Sequence, residues 1–224
     1  MIKNISNLGD AALYCDFGTE VNKETNSKVI KYFRSVKKKE IQGIINLTPS
    51  YNKLIISFDL KKTHFKEIKK KIENLDVNDS ISEFPKKIEI PICCVDDFSL
   101  DIKRLEEKLS LKREKIYESF FKKEYFCYMT GFIAGMPFLG DLDKNMRVQR
   151  LETPRVKVPK GSVGITEQFA NIYTFESPGG WNILGNTPLK VFDSSKEKEP
   201  NFINPGDTIV FKKISMEEYK GFNE

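Results

Sequence analysis

Gly131-Phe132-Ile133-Ala134-Gly135-Met136-Pro137-Phe138-Leu139-Gly140 opens the stretch on which the whole chain turns. The stretch continues through Thr153-Pro154-Arg155 and Val158-Pro159-Lys160-Gly161-Ser162-Val163-Gly164. It ends with Glu176-Ser177-Pro178-Gly179-Gly180-Trp181 and Gly185-Asn186-Thr187-Pro188. Most of the glycines, half of the prolines and the single tryptophan lie here. Glycine and proline fix backbone geometry rather than fill a core, so this segment shapes loops around something. Between the loops run short β-rich segments at 125–132, 164–165, 171–175, 181–184, 189–192 and 208–212. Many short strands at that spacing predict an antiparallel barrel or sandwich. Asn204-Pro205-Gly206-Asp207 reads as the turn into the last strand, and the polar tail after Ile214 as a short helix or a frayed end.

Upstream, the pattern changes. Residues 11–17 form an apolar run ended by Gly18, which predicts a strand. A helix follows, with Asn22 as N-cap and Val29, Phe33 and Val36 on one face. Residues 43–47 and 53–58 read as a hairpin around Thr48-Pro49-Ser50-Tyr51-Asn52. Thr63 is the expected cap of a second helix carrying Phe65, Ile68, Ile72 and Leu75, and a last strand is expected between Ile81 and Ile92. Strand, helix, strand, strand, helix, strand is the ferredoxin-like order. Phe84-Pro85-Lys86-Lys87 interrupts it, so the expected domains are 1–85 and 86–224. The second opens with a strand at 88–94, a helix from Ser99 and another over 112–120.

Composition excludes several classes. With 39% hydrophobic and 31% charged residues the chain is neither disordered nor membranous. No apolar run approaches the roughly 20 residues that span a bilayer. Met1-Ile2-Lys3-Asn4-Ile5 lacks a hydrophobic signal region, so cytoplasmic residence is expected. The net charge of +5 is dispersed, and Lys37-Lys38-Lys39 and Lys69-Lys70-Lys71 read as solvated helix ends rather than a nucleic-acid surface. Cys15, Cys93, Cys94 and Cys127 match no zinc spacing and read as core filler. His64 is the only histidine, which excludes mechanisms that need two; at the start of the second helix it reads as a surface residue.

The motifs of the central stretch resemble the family of the 5-oxoprolinase B component, also called the KipI family or allophanate hydrolase subunit 1. The resemblance rests on Gly131-Phe132, Gly135, Pro137, Leu139, Pro154-Arg155, Val158-Pro159, Gly161 to Ile165, Ile172-Tyr173, Ser177 to Trp181, Gly185 and Thr187-Pro188. Leu8 to Leu13 and Pro49-Ser50-Tyr51 extend it over nearly the whole chain. It implies an α+β protein: a small ferredoxin-like α/β domain, then a cyclophilin-like antiparallel β-barrel. It also implies a heteromeric enzyme, in which the B component works with a related C component and with the A component. The complex opens 5-oxo-L-proline to glutamate at the expense of ATP, the cofactor at the level of the complex, with Mg²⁺ as a candidate companion. Neither nucleic acid nor membrane is an expected partner. The family also contains inhibitors of sensor histidine kinases and carboxyltransferase components of allophanate hydrolase and urea carboxylase. Ala134, Met136 and Asn186 depart from its pattern, and Phe120 or its neighbour occupies the region where many members carry a histidine before the strand at Tyr125.

A lactam is a poor electrophile, and phosphorylating its oxygen makes that oxygen a leaving group. Such chemistry needs cations for phosphate and carboxylate and oriented N–H donors for the oxyanion. Arg155 offers a planar fork for an anion, or else ties two loops together. Ser177 to Trp181 reads as an anion-binding nest or as a tight barrel turn with Trp181 in the core. The expected substrate-binding residues are Arg155, Ser162, Tyr173, Ser177, Gly179, Gly180 and Trp181. No metal ligand is expected; Asp141 and Asp143 read as a turn in preference to a Mg²⁺ site. Neither Ser162 nor Ser177 has a histidine base in its motif, so no acyl-enzyme is expected.

Overall fold

A computed structural model describes residues 1–77 and 85–222. Two compact units divide it, Met1–Phe84 and Pro85–Glu224.

The N-terminal unit comprises β1 (Asn4–Asn7), β2 (Ala12–Asp16), α1 (Lys23–Lys39), β3 (Ile44–Pro49), β4 (Lys53–Phe58) and α2 (Phe65–Glu73). Its antiparallel sheet runs β1-β2-β4-β3. Asn22 caps α1 by accepting from the Thr25 N–H at 2.9 Å. The buried Asn26 carboxamide donates to Ser50 O (3.0 Å) and Tyr51 O (2.9 Å), which locks the β3–β4 turn against the helix. Leu13, Cys15, Val29, Val36, Leu54, Ile56, Phe58, Ile68 and Ile72 form the core between sheet and helices.

Two expectations change here. The fourth strand of the ferredoxin-like sheet is Asn4–Asn7 and not a segment after α2. An edge strand with one inward residue, Ile5, carries no visible alternation. Part of the strand expected at 81–92 lies outside the described residues, and the remainder, from Lys87, belongs to the second unit. His64, not Thr63, takes the N-cap position of α2; Thr63 Oγ1 donates instead to Glu67 at 2.9 Å.

The second unit contains β5 (Lys87–Cys93), α3 (Ile102–Leu109), α4 (Arg113–Phe121), β6 (Glu124–Thr130), β7 (Pro137–Gly140), β8 (Arg155–Val158), β9 (Ser162–Thr166), β10 (Phe169–Ile172), β11 (Ser177–Gly179), β12 (Asn182–Asn186), β13 (Thr208–Ile214) and α5 (Met216–Gly221). Seven strands close into a barrel in the order β10-β7-β6-β13-β5-β12-β9, and β8 and β11 pair as a separate ribbon. Every barrel seam is antiparallel except β5–β13, which is parallel. The Asp207 carboxylate holds the turn before β13, accepting from Lys86 N (3.0 Å) and Asn204 N (2.9 Å). Ile90, Ile92, Tyr125, Cys127, Leu139, Val163, Ile165, Ala170, Ile172, Leu184, Ile209 and Phe211 share one core with Ile116 and Phe120 of α4. The strand expected at 189–192 is reduced to a single bridge, Phe192 to Asn201, while β7 and β8 are strands that the sequence reading omits.

Candidate functional site

Strand β10 separates core from site by simple alternation. Ala170 and Ile172 enter the barrel core, so Phe169 and Asn171 stand on the outer face. Asn171 pairs with Gly164 of β9 on one side and Phe138 of β7 on the other. A side chain at Gly164 would come within 2.9 Å of Trp181 Cβ and 3.0 Å of Asn171 Oδ1. Its bareness is what lets both residues lie on the sheet. Trp181 meets Phe138 edge to face, with centroids 5.6 Å apart. Phe138 meets Phe169, and Phe169 meets Tyr128, in the same geometry. The outer face is therefore a row of aromatic edges interrupted by one carboxamide.

Tyr173, at the end of β10, turns its hydroxyl toward β11. An added Cβ on Gly179 would sit 2.0 Å from that hydroxyl, so glycine is required there by close approach. Positive φ is not the reason, because neither Gly179 nor Gly180 is in that region. Burial pushes the Tyr173 phenol above its ordinary value, partly offset by the Asn171 carboxamide and the Trp181 backbone N–H. The ribbon pairs Gly179 with Arg155 and Ser177 with Val158. Gly180 packs on Pro154 and accepts from Leu151 N at 2.8 Å. Ser162 joins through its backbone, its carbonyl accepting from Tyr173 N at 2.9 Å. The motifs separated in sequence thus converge, with Ser162 contributing carbonyl rather than hydroxyl to the contact with Tyr173.

Arg155, expected to hold an anion, holds one that belongs to the protein. Its guanidinium grips Asp101 with two bonds of 2.6 and 2.9 Å, and Asp101 also accepts from Ile183 N at 2.7 Å. Asp101 occupies the N-cap position of α3 but makes no cap bond, its carboxylate being committed to the ribbon and β12. Arg104 donates to Asn182 (2.5 Å), whose Nδ2 donates to Gln149 O and Ile165 O.

Other sequence candidates separate. Asp141 accepts from the Tyr128 hydroxyl at 2.9 Å, and Asp143 pairs with Lys123. His64 is an exposed residue of the N-terminal unit. Phe120 lies in the core, stacked on Phe211 at 4.9 Å. Asn186 accepts from the Tyr219 hydroxyl (2.7 Å) and donates to Lys160 O (2.9 Å), joining β12 to α5. The four cysteines are buried and free. A groove of about 540 Å³ lined by Phe33, Val36, Ile41, Ile44 and Leu47 belongs to the N-terminal unit, and none of the central motifs lines it.

Two residues escaped the sequence reading. Asn171 was visible as the polar position of an alternating strand, but its complete burial was not. Asp101 was visible as an acidic residue entering a helix, while its partner lies 54 residues away. Chemically, the face offers aromatic walls, a phenol and a carboxamide.

The second unit is thus a closed barrel with a two-stranded ribbon beside it and glycine motifs on its outer wall. The sequence pattern of the carboxyltransferase domain, subdomains C and D, matches residues 3–203, and the chain belongs to that family. Among its relatives, the B component of 5-oxoprolinase from Bacillus subtilis (strain 168) is 29% identical over 98% of this chain and 96% of its own length. The component of the same name from Haemophilus influenzae is 30% identical over 93% and 96%. The crystal structure of TTHA0988 superposes with a TM-score of 0.83 at 26% identity, covering 92% of this chain. This chain spans 40% of the TTHA0988 chain. Urea amidolyase of K. lactis shares the fold (TM-score 0.77, 19% identity), with 97% of this chain covering 15% of that one.

Proposed function

We propose that the chain is the B component of a heteromeric, cytoplasmic, ATP-dependent 5-oxoprolinase. With the C and A components it opens 5-oxo-L-proline to L-glutamate, coupled to hydrolysis of ATP to ADP and phosphate. The observation that carries this reading is joint. Relatives named as the B component of 5-oxoprolinase align over almost their whole length, and the motifs of the resemblance meet on one face of β10. Tyr173, Ser177, Gly179, Gly180 and Trp181 form one wall of the substrate site, backed by Ser162. Arg155 keeps that wall in place by clamping Asp101.

The residues do not fit a phosphate cradle in the Gly161–Gly164 segment. Gly161 N donates to Tyr173 O (2.7 Å) and Ser162 N to Pro159 O (3.2 Å), so these amides are already used. No step through ATP is therefore assigned to this chain. Its wall positions the ring and excludes water, and the partner components supply groups this chain lacks. The core position of Phe120 and the bonded Asn186 agree with that division of labour.

Reconstitution tests it. Glutamate release from 5-oxo-L-proline should require this chain, the A and C components, and ATP together. Full turnover by the A and C components alone overturns the proposal. ATP- and bicarbonate-dependent carboxylation of urea, in place of ring opening, would move the chain to the urea amidolyase branch, which the 23% identity to the yeast enzyme leaves open as a second reading.

A further inference from the structure

We propose that Asn171 reads the cis-amide edge of the ring substrate; this rests on the 5-oxoprolinase reading. Asn171 is fully buried on the outer face of β10, and its Oδ1 has no hydrogen-bond donor among the described residues. Its Nδ2 points at Met136 Sδ, 3.9 Å away, a weak acceptor, and also reaches the Tyr173 hydroxyl. Buried amide oxygens are normally satisfied, and an exception in a native fold calls for an explanation. Here the exception falls where the motifs meet. The buried Ser177 Oγ on the adjoining ribbon also has no partner among the described residues.

The chemistry of the carboxamide selects the ligand. A primary amide presents one acceptor and one donor side by side in a plane. A five-membered lactam holds its own amide cis, so its N–H and C=O are also side by side. The two edges match head to tail, with the lactam N–H donating to Oδ1 and Nδ2 donating to the lactam oxygen. Met136 Sδ now stands where that oxygen goes, and an unbranched thioether can move aside. Its segment begins beside Phe132 and Gly135, both at positive φ, so its backbone is already set by loop geometry rather than by the barrel. Phe138 and Trp181 supply the apolar wall for the ring methylenes.

The test uses the assembled complex with 5-oxo-L-proline as substrate and 5-oxotetrahydrofuran-2-carboxylate, the ring-oxygen analogue, as competing probe. The analogue has no N–H and turns a lone pair toward Oδ1. The native complex should prefer the lactam by about 10- to 100-fold. Asn171→Leu should raise KM for the lactam by a similar factor and erase the preference. Asn171→Asp keeps shape and acceptor but loses the donor, and should raise KM about tenfold or more. It serves if the leucine variant fails to assemble. Unchanged KM and unchanged preference in an active variant complex overturn this inference alone, and assign the orphan oxygen to a trapped water. A native complex that opens no lactam overturns the 5-oxoprolinase reading, and this inference with it.

Discussion

Around Asp101, every buried side-chain polar atom has a partner among the described residues. Two bonds go to Arg155 and one comes from Ile183 N, while Asn182 nearby receives Arg104 and donates to two carbonyls. In the same unit Asn171 Oδ1 on β10 and Ser177 Oγ on the ribbon are buried and unpaired among the described residues. Both clusters flank the Ser177–Trp181 segment and draw on the same kinds of side chain. The satisfied cluster fastens α3 to the ribbon and to β12. Asn171 lies beside Trp181 over the bare Gly164. Under the proposal above, the incomplete network is the one that meets the ligand.

The largest expected effect breaks the satisfied side. Asp101→Ala leaves a half-buried guanidinium and the Ile183 N–H without their acceptor, and should cost about 3 kcal/mol or more. Urea unfolding of the isolated chain measures it. A loss below about 1 kcal/mol, the range of exposed pairs, would mean that the Asp101 cluster is no better built than a surface ion pair.

A smaller effect comes from pH. Tyr117 donates to Ser99 Oγ (2.8 Å), which in turn reaches Leu184 O (3.1 Å), so it belongs to the satisfied side. Burial pushes the Tyr117 phenol and the neighbouring Cys94 thiol each up to about 12. Raised acids stabilise the fold below their unfolded values, about 8.5 for a thiol and 10 for a phenol. That stability is lost as pH rises toward the folded value near 12. At pH 10 the thiol alone should remove about 2 kcal/mol. Urea midpoints should fall between pH 8 and 10.5, and Cys94→Ala should lessen the fall without removing it, because burial raises the Cys15 and Cys127 thiols as well. Parallel curves for the two proteins would show that this thiol gains nothing from burial.

Legibility in the sequence followed the range of the interactions. The helix cap at Asn22, the hairpin at Pro49-Ser50-Tyr51 and the Asn204–Asp207 turn are local, and local chemistry specifies them. The barrel strands were legible where apolar residues alternate, as at Tyr125 and Cys127. They were hidden where glycine and proline replace that pattern, as at Pro137–Gly140. Asn4–Asn7 escaped because an edge strand needs only one inward residue. The site was half legible. Gly179 and Trp181 announced themselves as a motif, though the reason for Gly179 is the Tyr173 hydroxyl and not its φ. Asp101 and Asn171 did not, since their meaning depends on partners, or missing partners, brought together only by barrel closure.

The smallest expected effect is the sharpest for the comparison. Removing a buried hydroxyl that has a partner costs about 1 kcal/mol or more, whereas removing an unpaired one costs nothing or returns part of its desolvation penalty. Ser177→Ala should therefore leave the urea midpoint of the isolated chain unchanged, or raise stability by up to about 1 kcal/mol. Substrate affinity of the assembled complex should nevertheless fall, as the proposed substrate wall requires. Stability and affinity moving together would assign Ser177 to the structural network. Their separation is what a side chain held in reserve for a ligand must produce, since its bonding partner is absent from the folded chain.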